Sequence, residues 1–313
     1  MTTQQFRKAH LGLILLGAFV VVLGAYTRLT DSGLGCPDWP GCYGKLLVPN
    51  QLNVSGFDAA KAWAEMIHRY VAGFLGLGIF TWAFLSIKQN PRQHTPYFLV
   101  LLVILQAAFG AWTVTWKLHP LAVMPHLMGG MTITSLLWLN YLPQPKKHNL
   151  HFMTKTLWLT ALACVIGQCI VGGWTSANYA ALICPDFPTC QGGWPLVQWQ
   201  DATNLQLPIG QNHEGGLLGM SARISIHMLH RYLGFMTGIV MLSLVCWSLY
   251  HYRSLPIKRA TLILLCTFTL QALLGALNVL WALPLSTATL HNGIALGTIM
   301  AMIYFYNQAK VHG

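Results

Sequence analysis

Eight long apolar segments constrain the fold of this chain more than any other feature of its sequence. They cover roughly residues 9–29, 62–87, 96–116, 121–142, 155–178, 222–251, 258–281 and 285–308, and a helix needs roughly 20 apolar residues to cross a bilayer. Charged residues make up only 8% of the chain, against about 25% in soluble domains. The sequence predicts an all-α membrane protein with eight transmembrane helices. No small-residue cleavage site follows the first segment, so we expect a retained helix rather than a signal peptide.

The charges give these helices a direction. An even number of spans places both termini on one side, and all seven acidic residues fall on the other side. Because short basic loops stay in the cytoplasm, we expect cytoplasmic termini. The net charge of +11 is spread over several short segments, so it indicates topology and not nucleic-acid binding. The cytoplasmic basic residues are Arg7, Lys8, Lys88, Arg92, Lys146, Lys147, Lys155, Arg253, Lys258, Arg259 and Lys310.

Four motifs occur twice and in the same order. LGCPDWPGC matches LICPDFPTC at an offset of 148 residues, EMIHRY matches HMLHRY at 162, and LQAAFGA matches LQALLGA at 165. PHLMGGMTI matches the segment around His291, again at 165. The repeats predict two tandem four-helix bundles, residues 1–148 and 149–313. Since each half has an even number of spans, we expect a pseudo-twofold axis along the membrane normal.

Five of the 13 histidines lie inside the predicted spans, where ionisable residues are costly and usually functional. They are His68, His126, His227, His230 and His291. His68, His126, His230 and His291 lie on corresponding helices of the two halves. At 1.5 Å per residue, these four histidines are roughly 8–12 Å below the outer ends of their helices. The sequence therefore predicts two histidine pairs at one depth, toward the periplasmic side.

Two histidines on facing helices suit haem better than other metal centres. Zinc takes three or four protein ligands and copper usually recruits sulfur, whereas haem iron needs only axial ligands. Glycines near the histidines leave room for a flat macrocycle, or serve helix packing. Arg69 and Arg231 directly follow two of the histidines. Together with Arg28 they are candidates for haem propionate contacts, although Arg69 and Arg231 could instead extend to the outer interface.

The outer loops each contain a Cys-x5-Cys pair, Cys36 with Cys42 and Cys184 with Cys190. The outer compartment of bacteria is oxidising, so we expect a disulfide within each pair. Two functions fit such a loop: a structural staple, or a redox relay if the disulfide is strained and exposed.

Together these features resemble the haem A synthase family. The resemblance rests on eight spans in duplicated halves, on the outer-loop cysteine pair, and on Glu65-Met66-Ile67-His68-Arg69, His126, His230-Arg231 and His291. It covers essentially the whole chain. It implies an oxidoreductase that converts the C8 methyl group of haem O to the formyl group of haem A, for cytochrome c oxidase.

The resemblance also assigns roles to residues. It implies that haem O binds as substrate between His68 and His126, and that haem b binds as cofactor between His230 and His291. It further implies that Glu65 is the essential acid and that Cys36–Cys42 is the loop disulfide of the family.

Glu65 distinguishes the two halves. It precedes His68 by three residues, so both side chains share one helix face. A carboxylate there could stabilise positive charge at the oxidised carbon or take up protons. The corresponding His227 supplies no fixed negative charge, which marks the first half as the reactive one. Alternatively, Glu65 only pairs with Arg69 or Arg28.

Three rival functions fit parts of the pattern: a dihaem b-type electron-transfer protein, a haem transporter or chaperone, and a small-molecule permease, which the absence of broken helices disfavours. The expected partners are haem O synthase (protohaem farnesyltransferase), cytochrome c oxidase or its assembly factors, an electron acceptor or donor of unknown identity, and membrane lipid. No organelle-targeting presequence precedes the first span, which favours a bacterial inner membrane.

Overall fold

The structure is a computed structural model that describes residues 3–49, 56–143 and 150–312. Within these residues it has nine α-helices and, instead of strands, two isolated β-bridges. Eight of the described helices are long and apolar enough to cross a membrane, which confirms the predicted all-helical architecture. The helices are α1 (Thr3–Leu29), α2 (Ala59–Gln89), α3 (Thr95–Thr115), α4 (Pro120–Tyr141), α5 (Phe152–Ala177), α6 (Trp199–Ala202), α7 (Met220–His251), α8 (Leu255–Leu280) and α9 (Leu285–His312).

Several helices extend beyond their apolar segments at the end that the sequence predicts to be cytoplasmic. Helix α1 begins at Thr3 rather than near residue 9, and α9 ends at His312 rather than near residue 308. The apolar segment marks the part inside hydrocarbon, whereas backbone hydrogen bonds continue into the interface, where basic side chains reach water. The basic residues Lys146 and Lys147, assigned above to the cytoplasmic side, lie outside the described residues.

The start of α2 sets the depth of the residues that follow it. Asp58 caps this helix, since its Oδ1 accepts hydrogen bonds from the backbone N–H groups of Ala60 (2.8 Å) and Lys61 (3.2 Å). Such a cap satisfies donors that a helix otherwise leaves unpaired. It therefore fixes where Glu65 and His68 lie along the helix.

The chain forms two compact units. The first consists of Met1–Leu137 with Asn204–Leu217, and the second of Trp138–Thr203 with Leu218–Gly313. In the first unit, α2 packs against α1 and α3. In the second unit, both α7 and α9 pack against α5 and α8. A segment of the second outer loop, residues 204–217, thus belongs to the first unit. The duplication boundary near residue 148 and the symmetry axis stay predictions.

A disulfide closes the first outer loop over the end of α2. Cys36 and Cys42 are bonded, with an S–S distance of 2.01 Å. Inside this ring the Asp38 carboxylate accepts hydrogen bonds from the N–H groups of Tyr43 (2.6 Å) and Gly44 (2.8 Å). Both of these residues have positive φ, a conformation in which successive N–H groups converge on an anion.

The second outer loop repeats this geometry in the second unit. Cys184 and Cys190 are bonded at 2.02 Å. Hydrogen bonds from the Thr189 hydroxyl and from the N–H groups of Gly192 and Gln191 lower the pKa of Asp186 to about 2. The aspartate of this loop is therefore ionised at any physiological pH.

Candidate functional site

The first unit brings His68 of α2 and His126 of α4 together. Their ring centroids are 6.4 Å apart and the ring planes are nearly perpendicular, at 83°. His126 Nδ1 donates to the carbonyl of Gln106 (3.2 Å), and the Gln106 amide donates back to the carbonyl of His126 (2.7 Å). A histidine whose Nδ1 donates to a carbonyl keeps its Nε2 lone pair for a metal. His126 is thus oriented as a ligand.

The second unit contains the corresponding pair, His230 of α7 and His291 of α9. The amide nitrogen of Gln168 donates to the carbonyl of His230 (3.0 Å) and lies 3.4 Å from its Nε2. The amide nitrogen of Gln271 lies 3.3 Å from Nε2 of His291. An amide nitrogen can only donate, so Nε2 is the lone-pair nitrogen of both rings.

Three of these four rings have an unsatisfied nitrogen. Nδ1 of His68, His230 and His291 is buried without a hydrogen-bond partner among the described residues. Buried polar atoms are nearly always paired in folded proteins, and exceptions need a functional or structural explanation. In His230 and His291 the lone pair is on Nε2, so the unpaired Nδ1 is the N–H donor of the ring and not the atom that would bind a metal.

The donor set of each unit fits haem. No group of three or more His, Cys, Asp or Glu residues that could hold a metal ion occurs among the described residues, which disfavours a protein-only zinc site. Two imidazoles on opposite sides of one iron, each with a bond of about 2 Å, place their ring centroids roughly 6 Å apart. The 6.4 Å between His68 and His126 agrees with that spacing.

Glu65 lies one helical turn before His68 and is only 4% exposed. Its Oε2 accepts a hydrogen bond from the backbone N–H of Cys36 (2.8 Å), and its Oε1 pairs with the Arg69 guanidinium. The pairing with Arg69 was one of the two alternatives that the sequence left open. The carboxylate is held at both oxygens, so its position depends on the disulfide loop.

The residue that corresponds to Glu65 in the second unit has another contact. His227 donates from Nδ1 to the carbonyl of Ala180 at 2.7 Å. The imidazole of His227 thus binds a loop carbonyl, whereas the carboxylate of Glu65 binds a loop N–H group. Among these corresponding positions, only the first unit has a carboxylate beside its histidine pair.

Arg69 binds the first disulfide loop. Its Nη1 donates to the carbonyls of Asp38 (2.8 Å) and Gly41 (2.6 Å), and its Nη2 pairs with Glu65. Arg28 forms an ion pair with Asp31 at 3.6 Å. A propionate contact of either arginine stays a prediction.

Arg231 has the same place in the second unit. Its Nη2 donates to the carbonyl of Cys184 (3.2 Å), and its Nη1 donates to the carbonyls of Pro188 (3.2 Å) and Thr189. Its Nε is buried without a partner among the described residues. A propionate contact of Arg231 also stays a prediction.

The tyrosine of each His-Arg-Tyr triplet also binds its loop, which sequence reasoning missed. The Tyr70 hydroxyl donates to the carbonyl of Leu46, and the Tyr232 hydroxyl donates to the carbonyl of Pro195 at 2.9 Å. The repeated triplet itself was the available signal. Its histidine lies toward the site, and its other two residues hold the disulfide loop.

The burial of all four cysteines favours a structural role over a redox role for both disulfides. Cys36, Cys42 and Cys184 are 0% exposed and Cys190 is 1% exposed. Thiol–disulfide exchange requires direct attack on a sulfur atom. The loops in this conformation give a reducing partner no such access.

Several known proteins are similar to this chain over most of its length. The family model described as "Cytochrome oxidase assembly protein" matches residues 7–303. A "Heme A synthase" of Shewanella oneidensis is 41% identical over 306 residues, which cover 91% of this chain and 92% of that protein. The "Heme A synthase" of Halalkalibacterium halodurans is 26% identical, over 78% of this chain and 77% of that protein. That of Alkalihalophilus pseudofirmus is 23% identical, over 92% and 89%.

Proposed function

The chain belongs to the cytochrome oxidase assembly protein family, and we propose that it is a haem A synthase, an oxidoreductase that converts the C8 methyl group of haem O to a formyl group. The observation that carries this proposal is an asymmetry between two similar sites. Each unit holds a histidine pair suited to haem, and one of the two pairs has a buried acid beside it.

We assign the substrate, haem O, to the pair with the acid, His68 and His126. The cofactor, haem b, is assigned to His230 and His291. When bound there, haem b supplies one-electron transfer. The two imidazoles of the second unit hold it, and Arg231 Nε is available to a propionate.

Glu65 is the residue that we assign to the chemistry. The N–H of Cys36 and the guanidinium of Arg69 fix the carboxylate, so it needs no reorganisation during the reaction. A carboxylate has about four acceptor sites, and these two contacts leave capacity for a proton. Glu65 can therefore stabilise positive charge that develops at the substrate methyl carbon, or accept the proton that leaves it.

The reaction consists of two oxidations of one carbon. In each oxidation the carbon gains the oxygen atom of one water and loses two electrons and two protons, and the electrons would leave through haem b to an external electron acceptor. The first oxidation would convert the methyl group to an alcohol, and the second would give a hydrate that loses water to form the aldehyde. If His68 and His126 both stay bound to the substrate iron, no position is left for oxygen, which would favour electron loss from the substrate ring over an oxygenase cycle.

The substrate and product chemistry suggests the partners. Haem O synthase would deliver substrate in the same membrane, and cytochrome c oxidase or its assembly factors would receive haem A. We place the protein in a bacterial inner membrane with cytoplasmic termini and with both sites toward the periplasm.

A dihaem electron-transfer protein is the second candidate, since the two sites resemble each other. Mass identification of the haems extracted from protein expressed with a haem O supply separates the two functions. We expect haem A from the wild type and none from Glu65→Gln, with the total haem of the variant preserved. The matched control is Glu214→Gln, which removes an acid that lies 4.0 Å from Lys61 in the same unit and should leave haem A formation intact. Recovery of only haem B and haem O from a fully loaded wild-type protein would contradict the proposal.

A further inference from the structure

Both histidines of the first unit lie against a glycine of a neighbouring helix. A methyl group added at Gly24 of α1 would lie 2.9 Å from Cε1 of His68. One added at Gly110 of α3 would lie 3.0 Å from Cε1 of His126. Carbon atoms in ordinary contact are about 3.5–4.0 Å apart, so each ring occupies the space that a side chain would fill.

The second unit repeats this contact. An added methyl at Gly172 of α5 would lie 2.9 Å from Cε1 of His230, and one at Gly275 of α8 would lie 3.1 Å from Cε1 of His291. In all four cases the nearest ring atom is Cε1, the carbon between the two nitrogens. The four rings therefore approach their glycines in one orientation, with the same edge.

The sequence repeats place these glycines in register with the histidines. Gly24 and Gly172 are separated by 148 residues, the offset of the cysteine loops, and Gly110 and Gly275 by 165, the offset of His126 and His291. Other glycines on α1 and α5 lack a contact with a histidine ring. A methyl group added at Gly17 of α1 would meet Thr134 Oγ1 at 2.8 Å. An added methyl would meet nothing within 4 Å at Gly12 of α1, and only Leu233 at 3.7 Å at Gly167 of α5.

We propose that Gly24, Gly110, Gly172 and Gly275 are positioning residues that fix the plane of each iron-binding imidazole. A side chain at any of them turns its ring about the Cβ–Cγ bond or moves the helix, because the close approach is possible only for glycine. The orientation of an axial ligand tunes the bound iron, so the glycines act on spectrum and haem retention. The inference rests on the proposed function for the identity of the bound group.

The test uses Gly24→Ala and Gly172→Ala, each with a control on the same helix, Gly12→Ala and Gly167→Ala. The measurements are the content of each extracted haem and the low-spin electron paramagnetic resonance signal of the oxidised protein. We expect Gly24→Ala to shift or abolish the signal of the first site alone, and Gly172→Ala that of the second site alone. Both controls should give the wild-type spectrum. Wild-type spectra and haem content in both test variants would overturn the inference.

Double variants keep the test decisive if an alanine variant is not recovered from the membrane. Gly172→Ala/His230→Ala removes the ring that the methyl group would meet. If the double variant is recovered from the membrane at the yield of His230→Ala, the loss seen in Gly172→Ala is due to contact with the ring, which supports the inference. If the yield of the double variant stays low, the loss is due to helix packing, which overturns the inference. His230→Ala also separates the two proposals. If it retains all haem the proposed function fails, whereas if it loses haem and Gly172→Ala does not, only the role of the glycine fails.

Discussion

The arginine that follows each inner histidine shows how single residues couple the sites to the outer loops. Arg69 and Arg231 each donate to several backbone carbonyls of a disulfide loop. Hydrogen bonds from a charged donor contribute about 1.5–3 kcal/mol each. A planar guanidinium can serve several carbonyls at once, whereas a lysine ammonium acts as a point charge on a flexible stem. The two residue types are not interchangeable here.

Arg231→Lys should therefore loosen the second loop while leaving the fold intact. We expect the midpoint of thermal unfolding to fall by a few degrees, corresponding to roughly 2 kcal/mol, and Cys184–Cys190 to become reducible by dithiothreitol in the folded protein. Arg253→Lys, at an exposed position, is the control. An unchanged midpoint together with a disulfide that still resists reduction would show that the guanidinium is dispensable.

At the scale of elements, the segment 204–217 is held on the first unit by two histidines. The backbone N–H of His213 donates to the carbonyl of Lys117 (3.0 Å), and His119 Nε2 donates to the carbonyl of Leu207 (3.2 Å). The two rings lie 4.7 Å apart and each residue is 1% exposed. Glu214, which follows His213 in the chain, lies 4.0 Å from Lys61. Burial of the His213 ring in this contact disfavours its charged form.

Acid should release this segment. Burial lowers the pKa of His213, the hydrogen bond to the Pro208 carbonyl opposes that shift, and His119 adds to it. A histidine with a lowered folded-state pKa contributes full stability above its unfolded pKa of about 6.5, and loses it as the pH falls below that value. Hydrogen exchange of residues 204–217, corrected for the intrinsic rate, should rise from about pH 7.5 to about pH 5.5. His213→Gln should remove most of this dependence, and a wild-type profile that does not change with pH would rule the mechanism out.

Some of these elements could be predicted from the sequence and others could not. The eight spans follow from apolar segments, and the two histidine pairs follow from motifs that recur at fixed offsets, whereas their role as iron ligands stays a prediction. The partners of Arg69 and Arg231 are backbone carbonyls, which leave no side-chain signature. The attachment of residues 204–217 to the first unit also depends on a backbone contact. The close contact between Gly24 and the His68 ring depends on how α1 packs against α2, which the sequence does not show.

At the scale of the whole molecule, charge and apolar length together define the topology. Eight described helices can cross a membrane, and the seven acidic residues all fall on one predicted side. Basic residues in short loops are retained in the cytoplasm. The described part of the chain is therefore a multi-pass membrane protein, and the proposed orientation places its acidic loops outside.

Cysteine labelling in intact cells tests this orientation. A membrane-impermeant maleimide should label Gln206→Cys, in the second outer loop, without permeabilisation. The matched variant Lys310→Cys, near the end of α9, should react only after permeabilisation. The reverse pattern would place the histidine pairs on the cytoplasmic side and contradict the proposed orientation.

The most direct test of the central claim is the identity of the haem that each histidine pair retains. Extraction and mass measurement should show that His68→Ala loses haem O and haem A but keeps haem B, and that His230→Ala loses haem B. His312→Ala, at the end of α9, should retain the wild-type set. Loss of the same haem from both site variants, or retention of every haem in both, would contradict the assignment of substrate to the first unit and cofactor to the second.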